Sequence, residues 1–460
     1  MHFSTQSLPL AFSAFALSAN AISLSTDSAD SIKDVAKTLA GGIIQTYNEA
    51  TSNNGPPGLF SKPYYWWEAG AAWDAMVQYQ TLTADKQYSD LIGQALQFQR
   101  GPNDDYMTPN QTKSLGNDDQ STWGLATLSA AEMNFPNPNP SSQWLNISIN
   151  VFNLQAARWD TSTCGGGLRW QIFTFNNGYN YKNTLTNGNF FLLAARLAQF
   201  TGNATYATWA EKAYNWTQSA GLLTDDYHVY DGADATENCS STNHIEWTNV
   251  FGAYLYGSAV MYNLTNASPL WKARVSGFVN ATDRFASQPS APGILNEPAC
   301  EPSARCDTDQ LEFKGGFASS ISRATLAAPF TADKLMSLLE TSAKAAAAHC
   351  ETSNQASNGS SVVCSDHWYK ESSSVGDSGG LGELLSALGV VQGLLVKETN
   401  GNLTVGGNNN NTATPSGTVT GSASGTAAPS ATGTGVAGHL EVGWSLVGAV
   451  GLVAGLMGVL

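Results

Sequence analysis

Two adjacent carboxylates are the residues of this 460-residue chain best suited to act on one bond together. Asp-Asp occurs three times, at 104–105, 118–119 and 225–226, so the dipeptide alone is a weak signal. Asp118 and Asp119 lie in Gly116-Asn117-Asp118-Asp119-Gln120, a glycine-led turn that opens a helix around Trp123. Neighbouring like charges push their pKa values apart, so one group stays ionised while the other keeps a proton. A retaining glycosidase needs that division. One carboxylate attacks the anomeric carbon, a second protonates the leaving oxygen, and the two stand roughly 5–5.5 Å apart. Neighbours on a turn can span such a gap, and the one better placed at the helix N-terminus would be the anion. The competing reading is architectural: an Asp at a helix start satisfies free N–H groups and suits the dipole.

The second chemical feature is a density of aromatic and amide residues in segments that read as loops. Tyr64, Tyr65, Trp66 and Trp67 run consecutively before Glu68. Cys164-Gly165-Gly166-Gly167-Leu168-Arg169-Trp170-Gln171 leads into Tyr179, Tyr181-Lys182-Asn183 and Asn187-Gly188. Aromatic faces stack on sugar rings, and amides and cations bind hydroxyls. Any single Trp serves equally well in a core, but four consecutive aromatics cannot all face one. Other chemistries fit worse. The triple glycine lacks a Walker lysine and is not GxGxxG. Asp225, Asp226, Asp231 and Asp234 lack calcium-loop spacing. The six histidines show no metal-ligand spacing, and no GxSxG elbow occurs. No metal and no cofactor are expected.

The elements that must position these residues are helical. Ile32, Val35, Ala36, Leu39, Ile43 and Tyr47 share one helix face, as do Phe190, Leu193, Ala194 and Leu197. Strand alternation is scarce, and late helices are expected at Asp333–His349 and Leu381–Val396. Two kinds of helix alternate. Trp66–Tyr79, Trp123–Glu132 and Trp247–Tyr262 are aromatic, rich in Gly and Ala and poor in charge, whereas their successors are amphipathic. Helices apolar nearly all round belong inside and amphipathic ones outside. About twelve helices so alternating describe an all-α (α/α)6 barrel, with the long inner-to-outer connections expected to rim a cleft at one end.

Composition bounds the rest. With 21 Lys+Arg against 36 Asp+Glu, the net charge is −15, and no basic stripe exists to displace counterions from a nucleic acid. Only 12% of residues are charged while 42% are hydrophobic, so the polar surface is built from hydroxyls and amides, suited to a neutral glycan. Residues 1–21 read as a signal peptide, with an apolar run Leu8–Leu17 and cleavage after Ala19-Asn20-Ala21. Residues 22–400 form the expected catalytic unit, and 401–440 a Ser/Thr/Gly-rich stalk. Residues 441–460 are an apolar tail without a basic flank, as a GPI-anchor signal has; the alternative is a terminal membrane helix. Six cysteines in a secreted chain read as disulfides, among 15 possible pairings. Local loops suggest Cys300–Cys306 and Cys350–Cys364, leaving Cys164–Cys239. N-glycosylation sequons begin at Asn110, Asn146, Asn203, Asn215, Asn238, Asn263, Asn266, Asn280, Asn358, Asn402 and Asn410.

Taken together, YYWWEAGAAWDAM (64–76), GNDDQSTWGLATLSAAE (116–132), CGGGLRWQ (164–171), YNYKNTLTNGNFFLLAARL (179–197), VYDG (229–232), GSAVMYNLT (257–265) and DQLEFKGGF (309–317) resemble family 76 of the glycoside hydrolases. These are endo-α-1,6-mannanases, and the likeness is to the fungal GPI-anchored branch. It implies an (α/α)6 barrel, retention of anomeric configuration, Asp118 as nucleophile and Asp119 as general acid/base. It further implies that Tyr65, Trp66, Trp67, Gln120, Trp123, Arg169, Trp170, Lys182, Asn183, Asn187 and Asp231 fall in segments lining a mannose cleft. The implied substrate is α-1,6-mannan or a GPI glycan. The acceptor is water, or a wall β-glucan if the enzyme transfers; the expected location is the outer cell surface and wall, and the expected state a monomer. One departure from the resemblance stands out: this chain has Trp247-Thr248-Asn249-Val250 where the resemblance leads one to expect a Trp-x-Tyr-Asn run.

Overall fold

The computed structural model describes residues 20–52, 55–355, 359–370 and 379–399. The expected leader up to residue 19, the stalk, the apolar tail and the sequons at Asn358, Asn402 and Asn410 lie outside these residues. Among the described residues twelve α-helices follow one another: α1 (Ala29–Thr51), α2 (Trp66–Thr83), α3 (Ser89–Gln99), α4 (Asn117–Glu132), α5 (Trp144–Ala157), α6 (Thr184–Thr201), α7 (Ala204–Ser219), α8 (Thr248–Leu264), α9 (Pro269–Ala281), α10 (Gln310–Ala327), α11 (Ala332–Ala348) and α12 (Leu381–Gly393). The even-numbered helices touch in the closed cycle α2–α4–α6–α8–α10–α12–α2, and the odd-numbered ones pack outside them. This is the (α/α)6 barrel.

Burial separates the rings as the pattern of side chains requires. Every residue of α12 is buried, whereas α1 buries 10 of its 23 along one stripe. The inner helices approach closely through small residues: a Cβ at Gly389 would stand 2.7 Å from the Gly315 carbonyl oxygen. The inner-to-outer links are the short ones, against expectation. Gly202 and Asn203 alone join α6 to α7, Gly202 in the left-handed region at φ 71° and Asn203 capping the amide of Thr205. Residues 158–183 and 220–247, by contrast, lead into α6 and α8, so the long connections gather at the N-termini of the inner helices. α12 stops at Gly393 and passes into a 3-10 turn, Leu394–Thr399, short of the helix end expected at Val396.

Two small antiparallel sheets tie these connections. One has the order β2 (Tyr181–Asn183), β3 (Gly232–Asp234), β4 (Thr242–Asn243), with Asn183 opposite Gly232; it feeds directly into α6. The other joins β1 (Asn20–Ala21), β5 (Cys350–Gln355) and β6 (Gly359–Cys364). The disulfides are Cys164–Cys239, Cys300–Cys306 and Cys350–Cys364, the expected set. All eight sequon asparagines within the described residues are exposed. No described helix is long and apolar enough to cross a membrane.

At the far end of the lumen the inner helices meet on one carboxylate. Glu132 of α4 accepts from Arg196 of α6 at Oε1 (3.1 Å) and Oε2 (2.8 Å), and its Oε2 also pairs with Arg323 of α10. Both guanidiniums share Ser129 Oγ and lie over the Tyr256 ring of α8. Burial alone would push the Glu132 carboxyl up, but the two arginines hold it below its usual range. Removing one partner of a buried ion pair strands the other charge. Glu132→Ala should therefore lower stability by about 3–5 kcal/mol, read as a fall in the urea midpoint; an unchanged midpoint would mean the floor does not hold the ring together.

Candidate active site

The carboxylate pair lies in the first turn of α4, which begins at Asn117, six residues before Trp123. Gly116 enters it in extended conformation and bridges Gln171. Asn117 fastens the turn: its backbone N–H donates to Trp170 O (2.8 Å) and its Nδ2 to Arg169 O (2.8 Å). Gln155 Nε2 of α5 donates to Asn117 O (2.6 Å). Asp119 Oδ2 accepts the Gly116 N–H (2.6 Å). Asp118 accepts the Asp119 N–H at Oδ1 (3.0 Å) and Asn183 Nδ2 at Oδ2 (3.0 Å). Both side chains thus fold back over Gly116. A Cβ there would lie 2.2 Å from Asp118 Oδ1 and 2.7 Å from Asp119 Oδ2, so those two oxygens are at most 4.9 Å apart.

The environment separates the pair electrostatically. Asp118 is 6% exposed, and burial raises its carboxyl to about 6, against the pull of the Asn183 and Asp119 hydrogen bonds. Asp119 is pushed well above its usual range, first by burial and then by the Asp118 charge beside it. Asp119 is therefore the better proton holder and Asp118 the better anion.

The pair opens into a cavity of about 1190 Å³ that enters the barrel at the inner-helix N-termini. α10 lies opposite α4 in the ring and contributes Asp309, just ahead of its first turn, and Glu312. Trp67, Phe313 and Trp247 form an arc along the wall, with centroids 6.2 and 5.6 Å apart. Acids fix its ends: Trp67 Nε1 donates to Asp309 Oδ1 (2.9 Å), and Trp247 Nε1 to Asp231 Oδ1 (2.9 Å). Tyr181 Oη holds the other oxygen of Asp231 (2.6 Å).

Of the expected residues, Tyr65, Trp66, Trp67, Trp170, Asn183 and Asp231 line the cavity with the pair. Five do not, a correction to the expected lining. Gln120 is fully buried, donating to Asp105 O and accepting from Arg158. Trp123 is core: its Nε1 donates to Trp66 O and its ring packs on Trp66 and Tyr106. Lys182 is fully buried and donates to the carbonyls of Asp160, Thr163 and Gly166, pinning the glycine loop. Asn187 clamps both backbone groups of Leu168. Arg169 pairs with Asp160 (2.8 Å) and covers Tyr179. The residues not anticipated are Asp309, Glu312, Phe313, Trp247 and Phe175. Asp309, Glu312 and Phe313 lie in the DQLEF segment, where an acid spacing of three at a helix start was the available signal. The other Asp-Asp pairs are elsewhere: Asp104 binds Arg100, Asp105 caps a turn through Met107 N, and Asp225 and Asp226 are exposed. Among the described residues no three His, Cys, Asp or Glu side chains converge as a metal site.

The chain belongs to glycosyl hydrolase family 76, which matches residues 31–405. It is similar to the mannan endo-1,6-alpha-mannosidase DFG5 of Saccharomyces cerevisiae, 40% identical over 410 residues, or 87% of each protein. The mannan endo-1,6-alpha-mannosidase DCW1 of the same yeast is 41% identical over 375 residues, 81% of each. Among solved structures, Dfg5 from Chaetomium thermophilum in complex with glucosamine is 38% identical with a TM-score of 0.74, covering 81% of this chain and 92% of that one. The GH76A alpha-1,6-mannanase of Salegentibacter sp. HEL1_6 shares the fold, with a TM-score of 0.61 at 18% identity, covering 79% and 98%.

Burial of the pair has a consequence for stability. A carboxyl whose pKa is raised by folding supports the fold below its unfolded pKa, near 4, and that contribution is lost as pH rises through the folded value. Asp119→Asn keeps an acceptor for Gly116 and removes the ionisation. The variant should match the parent at pH 3.5 and exceed it at pH 7 by about 1–3 kcal/mol, measured by urea unfolding at both values. A variant less stable than the parent at pH 7 would contradict the burial argument.

Proposed function

We propose that this chain is a retaining mannan endo-1,6-α-mannosidase of the fungal cell surface, with Asp118 as nucleophile and Asp119 as general acid/base. The observation that carries the reading is the convergence of the two carboxylates over Gly116, at the base of an aromatic cleft, in a family 76 chain. Asp118 Oδ1 and Asp119 Oδ2 lie no farther apart than the roughly 5–5.5 Å of a double displacement and well inside the roughly 6.5–9.5 Å that an intervening water requires. The relatives named mannan endo-1,6-alpha-mannosidase support the substrate class.

In the first step an oxygen of Asp118 attacks C1 of a mannose, and the bond from C1 to the bridging oxygen breaks. Asp119 gives its proton to that oxygen, and a mannosyl ester of Asp118 remains. In the second step Asp119 takes a proton from the incoming hydroxyl, whose oxygen attacks C1 and frees the Asp118 carboxylate. Two inversions return the original anomer. Asn183 holds Asp118, and the Gly116 N–H holds Asp119, so neither must search for its position. Water as the second reactant gives hydrolysis; a wall glucan hydroxyl gives transfer, with a GPI glycan as the donor. GPI attachment to the outer membrane face suits either fate.

The test is an α-1,6-manno-oligosaccharide digest followed by early-time NMR. The α-anomer should appear first. Asp119→Asn should lose about 10²–10⁴ in kcat, and Asp118→Asn should form no mannosyl ester. Gly116→Ala should fold yet lose about 10²-fold or more, because its methyl displaces both oxygens. The β-anomer appearing first would replace this mechanism with inversion; binding without turnover in the parent would make the chain a wall mannan-binding protein.

A further inference from the structure

Phe175 is 71% exposed, the most exposed large hydrophobic side chain among the described residues, and it lines the cavity wall. Leaving an aromatic ring in water forgoes the stabilisation that burial gives it. Of the seven exposed large hydrophobics, three (Tyr65, Trp170 and Phe175) stand on this one cavity, so the exposure is concentrated where a ligand enters.

The ring is fixed in place. Phe175 stacks on Phe173 with centroids 5.3 Å apart and planes 14° from parallel. The next residue, Asn176, donates from Nδ2 to Thr112 O (3.2 Å) and to Gln171 Oε1 (3.0 Å), tying the loop to the opposite segment. Gly178, at φ 92°, lies flat on Trp170, where a Cβ would come within 2.2 Å of Trp170 Cε3. Trp170 in turn accepts the Asn117 N–H of the catalytic turn. The platform is therefore linked through Trp170 to the turn that carries the carboxylate pair, and at 71% exposure against 6% for Asp118 it occupies the more open part of the cavity wall. Beside it Asn177 is exposed on the cavity wall and offers an amide to hydroxyls.

We propose that Phe175 is the stacking platform of a distal sugar subsite, holding one pyranose of an α-1,6-linked mannose chain at the cleft mouth. The apolar C–H face of a pyranose is the complement of such a ring, and a preorganised ring loses little entropy on stacking. The inference rests on the mannan reading of the same site. It makes Phe175 a residue that selects for chain length rather than one that acts on the bond.

The experiment is calorimetric binding of α-1,6-mannobiose, -tetraose and -hexaose to the full chain carrying Asp118→Asn, with and without Phe175→Ala. Phe175→Ala should weaken hexaose binding by about 3- to 10-fold, and the loss should shrink as the oligosaccharide shortens. Phe175→Trp should restore it, while Phe98→Ala, which removes an exposed aromatic away from the cavity, should leave all three affinities unchanged. Equal losses at every length, or no loss, would overturn the subsite alone. Failure of the Asp118→Asn parent to bind any of the three would overturn the mannan reading and the subsite with it.

Discussion

The mouth of this barrel depends on keeping two adjacent carboxylates out of bulk water at one helix start. Burying a charge is unfavourable unless dipoles and hydrogen bonds replace the water it loses. The first turn of α4 supplies them: free N–H groups, the favourable end of the helix dipole, the Gly116 amide and the Asn183 side chain. Each must be held where it is, and that requirement propagates outward. Asn117 ties the turn to residues 169 and 170, so the segment carrying them must be rigid. That segment is the glycine loop. Lys182 gathers three of its neighbouring carbonyls, Trp216 packs so tightly that a Cβ at Gly167 would come within 2.3 Å of its ring, and Cys164–Cys239 locks the base. A motif that looks like ligand-binding chemistry is the mount of the turn that carries the carboxylate pair.

The same physics is repeated around the ring. Acidic residues stand in the first turns of α2, α4, α10 and α12 at Glu68, Asp118, Asp119, Glu312 and Glu383, and burial raises the pKa of every one. Helix dipoles favour anions there, yet desolvation outweighs them. Of these acids, Asp118, Asp119 and Glu312 line the cavity, whereas Glu68 and Glu383 accept the backbone N–H groups of Tyr65 and Gly380 at their own helix starts. The opposite end of the lumen reverses the balance. There Arg196 and Arg323 keep Glu132 ionised, while burial raises the carboxyl of Asp74 beside the same two arginines.

The sequence was informative where one local property decides the outcome. Alternating apolar and amphipathic helices specified the two rings, because the ring a helix occupies is set by how many of its faces are apolar. Cysteine spacing suggested the two local disulfides and left Cys164–Cys239 as the third, and all three are present. The carboxylate pair was legible as a unit because both residues are neighbours in the chain. The cleft wall was not, for two reasons. Lys182, Asn187 and Gln120 are polar residues in the right segments, and nothing local distinguishes a side chain that binds a backbone carbonyl from one that binds a sugar. Asp309 and Trp247 face the pair across the lumen, about 190 and 130 residues further along the chain, and only ring closure brings them there. The long links were also assigned to the wrong direction, since their length is visible in sequence but their end of the barrel is not.

The departure at Trp247-Thr248-Asn249-Val250 can now be placed. Asn249 and Val250 line the cavity, while Trp247 is anchored by Asp231 and Thr248 by Glu297, which accepts both its N–H and its hydroxyl. The start of α8 is therefore held from behind by residues unaffected by the change. Asn249 turns its Oδ1 onto the Val250 amide, and Val250 is 3% exposed, so the wall there is less polar than a Tyr-Asn pair would make it. α8 stands two helices from α4 in the ring and packs on α6, so Asn249 and Val250 line the same cavity as Asp118 and its Asn183 partner. The difference is confined to the stretch of wall that Asn249 and Val250 present to the cavity.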